Sequence, residues 1–327
     1  MRDVVASRLG TGGEAALVGS AFVLGPSRRR AVALDERENG IVSKDELAVT
    51  ELGRAARRWS DLLQGWAIPG PVLASAPEPP YFFDPEVFEH AAAEALARDV
   101  DTVSDGVARE LLPAGGSVLD VGAGGGAASL RLGTGGARVV GVDQSRELLD
   151  VFRSLASSAG VRVDAFEGSW PEIAGSVPSA DVVVCHNVVY NVASLAEFVE
   201  ALDAHAKRRV VVELTAEHPL SWTRPYWKAL HGLVVPDGPT ADDAVAVLAA
   251  LGLAPQLQRW TRVVQMVGET GPDGLSKIAR RLCIGPDRYD ELRRVVAEVP
   301  PPTRRDVVTV WWDKRRRTWS DSELPPV

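Results

Sequence analysis

Val118-Leu119-Asp120-Val121-Gly122-Ala123-Gly124-Gly125-Gly126 decides how the rest of this 327-residue chain is read. An apolar run reaches an acidic residue, and glycines follow at the second, fourth and sixth positions after it. Glycine tolerates positive φ and lets a ligand approach the backbone closely, so the stretch predicts a strand followed by a tight turn into a helix. Outward from it the texture repeats. Short β-branched runs at Ser117–Val121, Arg138–Val142, Arg162–Phe166, Asp181–Cys185 and Arg209–Leu214 alternate with helix-length segments at Ala127–Leu132, Arg146–Ala159 and Leu195–Ala206. Continuous apolar strands alternating with helices predict a parallel sheet covered on both faces, a doubly wound α/β fold. Two further strands are predicted at Gln256–Val264 and Asp306–Trp312. A helix at Thr240–Leu251 precedes the first, and two short helices fill Pro272–Val299 between them.

Upstream of the glycines, Leu47, Leu52, Ala55, Ala56, Trp59, Leu62, Leu63 and Trp66 recur at helical spacing and predict a helix over Glu46–Trp66. The proline-rich segment Ile68–Pro85, ending Tyr81-Phe82-Phe83-Asp84-Pro85, cannot continue that helix and reads as an extended strap. A long helical pattern follows over Glu86–Leu112. Residues 1–45 read as a loosely ordered extension, with a hairpin expected around Ala21–Leu24 and Ala31–Leu34. The expected organisation is therefore extension (1–45), helical N-terminal lid (46–112) and α/β domain (113–327), the last with insertions at 215–239 and 270–300.

Composition narrows the partners. At 46% hydrophobic and 24% charged, the chain is too apolar to be disordered. Its only cysteines, Cys185 and Cys283, lie far apart without a CxxC, so neither a disulfide framework nor a bound metal is expected, and a cytoplasmic setting fits. The apolar stretch Ala15–Gly25 is about half of the roughly 20 residues needed to span a bilayer. Neither a membrane anchor nor a secretory signal is expected. Residues 81–206 carry a net charge of −12 within a total of −8, which disfavours a phosphate backbone as partner. The basic runs Arg28–Arg30 and Lys314–Arg317 read as solvated flanks rather than a nucleic-acid surface.

The second strand ends at Asp143, 21 residues beyond Gly122, where an acidic side chain can hold both hydroxyls of a ribose. Loop and acid together point to an adenosine-type ligand at the switch point of the sheet. A dinucleotide would place pyrophosphate at the helix N-terminus, where the Asp120 carboxylate would repel it. A cationic amino group suits Asp120 better.

The stretch closely resembles the first motif of class I S-adenosylmethionine-dependent methyltransferases, (Asp/Glu)-x-Gly-x-Gly-x-Gly, at Asp120, Gly122, Gly124 and Gly126. The resemblance covers roughly residues 86–265, and Asp306–Trp312 resembles the family's final antiparallel strand. It implies a seven-stranded Rossmann-like sheet whose last strand runs antiparallel. It also implies S-adenosylmethionine as cofactor, S-adenosylhomocysteine as product, and a transferase of the small-molecule type. Carried over by residue, Gly122, Ala123 and Gly124 would line the methionine moiety, Asp120 its amino group, Asp143 the ribose and Gln144 the adenine. Where the family offers Gly-Asp after the third strand, this chain has Glu167-Gly168-Ser169-Trp170, so Ser169 or backbone groups would serve, with Trp170 as a π face.

The tip of the fourth strand, Cys185-His186-Asn187-Val188-Val189-Tyr190, faces the transferable methyl in such a fold. Asn187–Tyr190 is similar to an Asn-Pro-Pro-Tyr motif but lacks both prolines, and its Asn stands out of register. His186 is therefore expected beside the cofactor, either as cofactor contact or as general base. After the fifth strand, His218, Trp222, Tyr226 and His231 cluster within a short insertion, which suits a pocket wall with a proton acceptor. The expected substrate pocket comprises Tyr81, Phe82, Tyr190, Trp222 and Tyr226, and His186, His218 and His231 compete for the proton. The reading is methyl transfer to an oxygen or nitrogen of a small organic acceptor. RNA or protein methylation and a non-catalytic cofactor-binding module are the alternatives. Oligomeric state is not legible.

Overall fold

The computed structural model describes residues 44–81, 84–263 and 272–314. Seven strands form one sheet: β1 (Ser117–Val121), β2 (Arg138–Asp143), β3 (Val163–Glu167), β4 (Ala180–His186), β5 (Ala206–Thr215), β6 (Gln256–Val263) and β7 (Arg304–Asp313). Their order is β3-β2-β1-β4-β5-β7-β6. β7 alone runs antiparallel, against both β5 and β6. The chain winds outward from β1 through β2 to β3, then returns to β4 on the other side of β1. Asp120 of β1 thus lies between Gly141 and Val184 at the point of reversal. A crevice opens beyond the strand ends at such a reversal, which fixes where a ligand can enter.

The helices are α1 (Lys44–Gln64), α2 (Gly70–Ala74), α3 (Pro85–Ala97), α4 (Val103–Leu111), α5 (Leu130–Gly133), α6 (Arg146–Ser158), α7 (Leu195–His205), α8 (Arg224–His231), α9 (Ala241–Ala250), α10 (Pro272–Arg281) and α11 (Tyr289–Glu298). Alternation along the strands divides the core. Leu119, Val121, Val183 and Val210 pack with Trp59 of α1, Phe198 of α7 and Val247 of α9 on one face. Val118, Val182, Val184 and Val211 pack with Ala108 of α4, Leu130 of α5 and Phe152 of α6 on the other. The central strands are apolar in both registers because both faces are covered.

Three sequence expectations change. The predicted helix over Glu86–Leu112 is two helices, broken between Ala97 and Val103, because Thr102 and Asp105 form a reciprocal capping box that starts α4 afresh. The segment after the glycines stays in tight turns until Leu130, so α5 is shorter than the predicted Ala127–Leu132. The proline-rich strap contains a one-turn helix, α2, with proline in its first turn. The described parts of the insertions expected at 215–239 and 270–300 pack together. α8, α10 and α11 share a third apolar cluster, against which Ile68 and Val72 of the strap also pack. The hairpin expected around Ala21–Leu24 and Ala31–Leu34, and the basic run Arg315–Arg317, lie outside the described residues. No helix among the described residues is long and apolar enough to cross a membrane.

Candidate active site

A cavity of about 900 Å³ lies over the C-terminal ends of β1, β2, β4 and β5, and helices α3 and α4 contribute to its wall. Its floor is the glycine loop. Gly122 and Ala123 both donate their N–H to Val142 O, at 2.8 and 2.9 Å, which pins the loop to β2. Gly122 has φ +74°, and a Cβ there would come within 2.3 Å of Val188 Cγ2. A larger residue is excluded by backbone conformation and by space together. Phe88 of α3 lies across the loop, close enough that a Cβ on Gly124 would meet its ring at 2.9 Å.

Asp143 stands at the end of β2 on the cavity wall. Its Oδ2 accepts from Gly124 N and its Oδ1 from Ser145 N, each at 2.9 Å. Burial raises its carboxyl above the ordinary range, against the pull of these backbone donors and that of Gln144. With three backbone donors on its four lone-pair sites, the carboxylate keeps one free to accept from a hydroxyl. Ala123, Gly124, Gln144, Ser169 and Trp170 join Asp143 on the wall. Gly126 does not. Its φ of +92° and the nearness of Leu130 and Phe152 make it a packing glycine beneath the turn.

Asp120, expected beside an amino group, is fully buried below the loop and off the cavity wall. Its Oδ2 accepts from Ser129 Oγ at 2.6 Å, and its Oδ1 has no partner among the described residues. Burial pushes its carboxyl up to about 7, Ser129 opposes this, and the charge of Asp143 adds to it.

Of the three candidate histidines, only His186 reaches the cavity. At the end of β4, its Nδ1 lies 3.8 Å from Glu213 Oε2, and its Nε2 has no partner among the described residues. Glu213, on β5, also accepts from Ser104 Oγ of α4 at 2.7 Å and from Arg262 Nη1 of β6 at 3.1 Å. Burial would raise the Glu213 carboxyl. His186 and Arg262 beside it, with hydrogen bonds from Ser104 and Asn187, hold it below its ordinary value instead. Arg98 and Asp105, 3.5 Å apart, line the same end.

The remaining expectations are corrected. His218 is buried and stacked on Trp66 at a centroid distance of 4.0 Å, with its Nδ1 facing Leu220 N at 3.3 Å. Burial pulls its proton affinity down to about 3. His231 packs on Trp227, and its Nε2 lies 2.7 Å from Leu282 O, in the third cluster. Tyr190 donates to Thr215 O at 2.7 Å and is 2% exposed, which makes it core rather than pocket. Tyr226 donates to Val299 O and Trp222 meets it edge-on, so both belong to the third cluster. Tyr81 pairs with Ile68 N within the strap, off the cavity. Phe82 lies outside the described residues. Aromatic side chains in this insertion seek the shared apolar cluster because it buries more of their surface than a wet cleft would.

Sequence reading placed Glu213 only among the carboxylates of that pocket-wall stretch and assigned no role to Arg262, Ser104, Arg98, Asp105 or Phe88. Only Glu213 carried a usable signal, as an acid at a strand's C-terminal end. Ser104 and Arg262 meet it from 109 and 49 residues away, and no local spacing encodes such a meeting.

Sheet order, the antiparallel last strand and a glycine loop at the switch point define the class I methyltransferase fold, and residues 118–209 match the family model for a methyltransferase domain. This segment therefore matches a methyltransferase domain and lies on a sheet with the class I strand order. Over 92 residues the chain is 42% identical to the ubiquinone biosynthesis O-methyltransferase of Azorhizobium caulinodans, a match covering 28% of this chain and 36% of that protein. The chain therefore spans little more than a third of the curated relatives that it matches. Among solved structures it is similar to the YcgJ protein of Bacillus subtilis, at 21% identity and a TM-score of 0.46, over 65% of this chain and 98% of that one. It is also similar to the magnesium protoporphyrin IX methyltransferase of Synechocystis with bound S-adenosylhomocysteine, at 14% identity and a TM-score of 0.42, over 70% of this chain and 83% of that one.

Proposed function

We propose that this protein is an S-adenosylmethionine-dependent methyltransferase that methylates an oxygen or nitrogen of a small organic acceptor. One observation carries the reading. A single cavity joins a hydroxyl-accepting carboxylate over a glycine floor to a polar end built from His186, Glu213, Arg262 and Arg98. A volume of about 900 Å³ is at the upper end of small-molecule sites and suits a nucleoside cofactor together with an acceptor.

The residues fit the cofactor. The backbone of Gly122–Gly124 supplies a surface free of side chains for the methionine moiety. Asp143 offers its remaining lone pair to the ribose, and Gln144, Ser169 and Trp170 border the adenine end. Asp120, sealed beneath the loop, acts through space and through Ser129 rather than by contact. S-adenosylmethionine, when bound, supplies a methyl group on an activated sulfonium. Holding the acceptor in line then accounts for much of the rate, and Phe88 over the loop helps to keep water out. The cytoplasm is the setting we infer, since both cysteines are free, buried thiols.

Calorimetric titration with S-adenosylmethionine, S-adenosylhomocysteine and NAD tests the reading. Binding of the first two without NAD is expected, and Asp143→Ala should weaken both at least about tenfold by leaving a ribose hydroxyl unpaired. NAD binding alone would make the protein an oxidoreductase. Retained cofactor affinity without methyl transfer to any acceptor would favour a non-catalytic binding module.

A further inference from the structure

At the polar end of the cavity, hydrogen bonds run in one direction that chemistry fixes. An indole N–H can only donate, and Trp260 Nε1 donates to Thr309 Oγ1 at 2.9 Å. Ser104 Oγ donates to Glu213 Oε2 at 2.7 Å and lies 2.8 Å from Thr309 Oγ1. With its own proton committed to the carboxylate, Ser104 accepts from Thr309. The chain therefore reads Trp260 to Thr309 to Ser104 to Glu213, and Arg262 adds a charged donor to the other carboxylate oxygen at 3.1 Å. Every neighbour donates, so Glu213 is an ionised carboxylate with no proton to give.

That carboxylate faces His186 Nδ1 across 3.8 Å. A bare lone pair on Nδ1 would be repelled by it, whereas an N–H pointing at it is attracted. We infer that the Trp260–Thr309–Ser104–Glu213 chain fixes His186 as its Nδ1–H tautomer, leaving Nε2 as the acceptor of the proton that a hydroxyl or amine releases when it is methylated. Glu213, Ser104 and Thr309 are then positioning residues. This deepens the methyltransferase reading and rests on it.

The step balances. The acceptor's oxygen or nitrogen gains the methyl carbon as the methyl–sulfur bond breaks. The bonding pair stays on sulfur, and the acceptor's proton passes to Nε2. The His186 side chain is 12% exposed on the cavity wall, and its Nε2 is buried without a partner among the described residues. An unpaired ring nitrogen is costly until a donor reaches it, and such contacts commonly tighten only in the complex. The charged groups around it are Glu213 from β5, Arg262 from β6, and Arg98 and Asp105 from the joint between α3 and α4.

Long-range ¹⁵N–¹H spectra of the histidine rings in the ¹⁵N-labelled 327-residue chain test this at about pH 9, well above the ordinary imidazole range. The chain has five histidines, and the His186 signals are those lost in His186→Asn. The expected result is an Nδ1–H tautomer in the wild type, reverting in Glu213→Gln to the Nε2–H form that neutral histidine ordinarily prefers. Unchanged His205 and His218 signals would show that the fold survives. Should Glu213→Gln fail to fold, Glu213→Asp draws the carboxylate back from Nδ1 and should shift the tautomer ratio the same way. An Nε2–H tautomer in a wild type that binds S-adenosylhomocysteine would overturn this inference alone, as would a tautomer unmoved by both substitutions. A wild type that does not bind S-adenosylhomocysteine would overturn the methyltransferase reading itself.

Discussion

At the scale of single residues, two buried titratable groups pull the stability of this protein in opposite directions with pH. His218, stacked on Trp66, keeps its proton affinity down at about 3, while the unfolded chain protonates it near 6.5. Between those values the unfolded state holds more protons, so stability falls as pH falls. Asp120 does the reverse. Its folded value of about 7 against an ordinary 3.8 gives stability that is present at low pH and lost as pH rises toward 7. The two slopes oppose each other between about pH 4 and 6.5. His218→Phe keeps the stack on Trp66 and removes one of them. Relative to wild type, this variant should gain about 1.4 kcal/mol of stability for each pH unit below 6.5, or about 2 kcal/mol between pH 7 and pH 5. Urea denaturation at those two pH values measures it. A difference that does not change with pH would mean that His218 is not held neutral in the fold. This same residue shows a limit of sequence reading. A histidine among aromatics after a strand end has one appearance whether it faces a cleft or fills a core, and the outcome depends on Trp66, which lies 152 residues earlier.

At the scale of elements, the central strands were legible because each is apolar in both registers. α1 was legible because its apolar residues repeat at helical spacing. What α1 docks onto was not. Trp59 Nε1 of α1 donates to Val192 O at 2.8 Å and Trp66 Nε1, in the turn just after it, to Gly238 O at 2.7 Å, so the helix and its exit are fastened to two loops far along the chain. Val192 also lines the cavity, which ties α1 to the rim of the site. Trp59→Phe keeps the stack on Tyr190 but strands the carbonyl of Val192, at an expected cost of about 1 kcal/mol in chemical denaturation. No loss would show that water replaces the indole at that carbonyl. The break between α3 and α4 escaped the sequence because both halves are helix-forming and only the reciprocal bonds of Thr102 and Asp105 mark the restart. That break matters for function, since it brings Ser104 to the start of α4 and within reach of Glu213. The glycine loop and Asp143 were readable because they lie within one βαβ unit. The acceptor end was not, because it is assembled from α4, β4, β5, β6 and β7.

At the scale of the whole molecule, the insertions join into one helical cluster away from the cavity, while the N-terminal helices and the sheet enclose it. The acidic stretch 81–206 supplies most of the wall and makes a small ligand a better match than a polyanion. A ligand in this cavity would meet α3 and the α3–α4 joint on one side and the ends of β1, β2, β4, β5 and β6 on the other. Opening any of these parts must first release the ligand, so occupancy should stabilise lid and sheet together rather than one loop alone. Mass action sets the size of the effect. S-adenosylhomocysteine at a hundred times its Kd should add about 2.7 kcal/mol to the unfolding free energy, and NAD at the same concentration should add nothing. Hydrogen exchange in the same samples locates the gain, which is expected in α3, α4 and the glycine loop together. Protection confined to the glycine loop would show that the helices over the cavity are not part of the closed site, and that the acceptor end forms independently of the cofactor end.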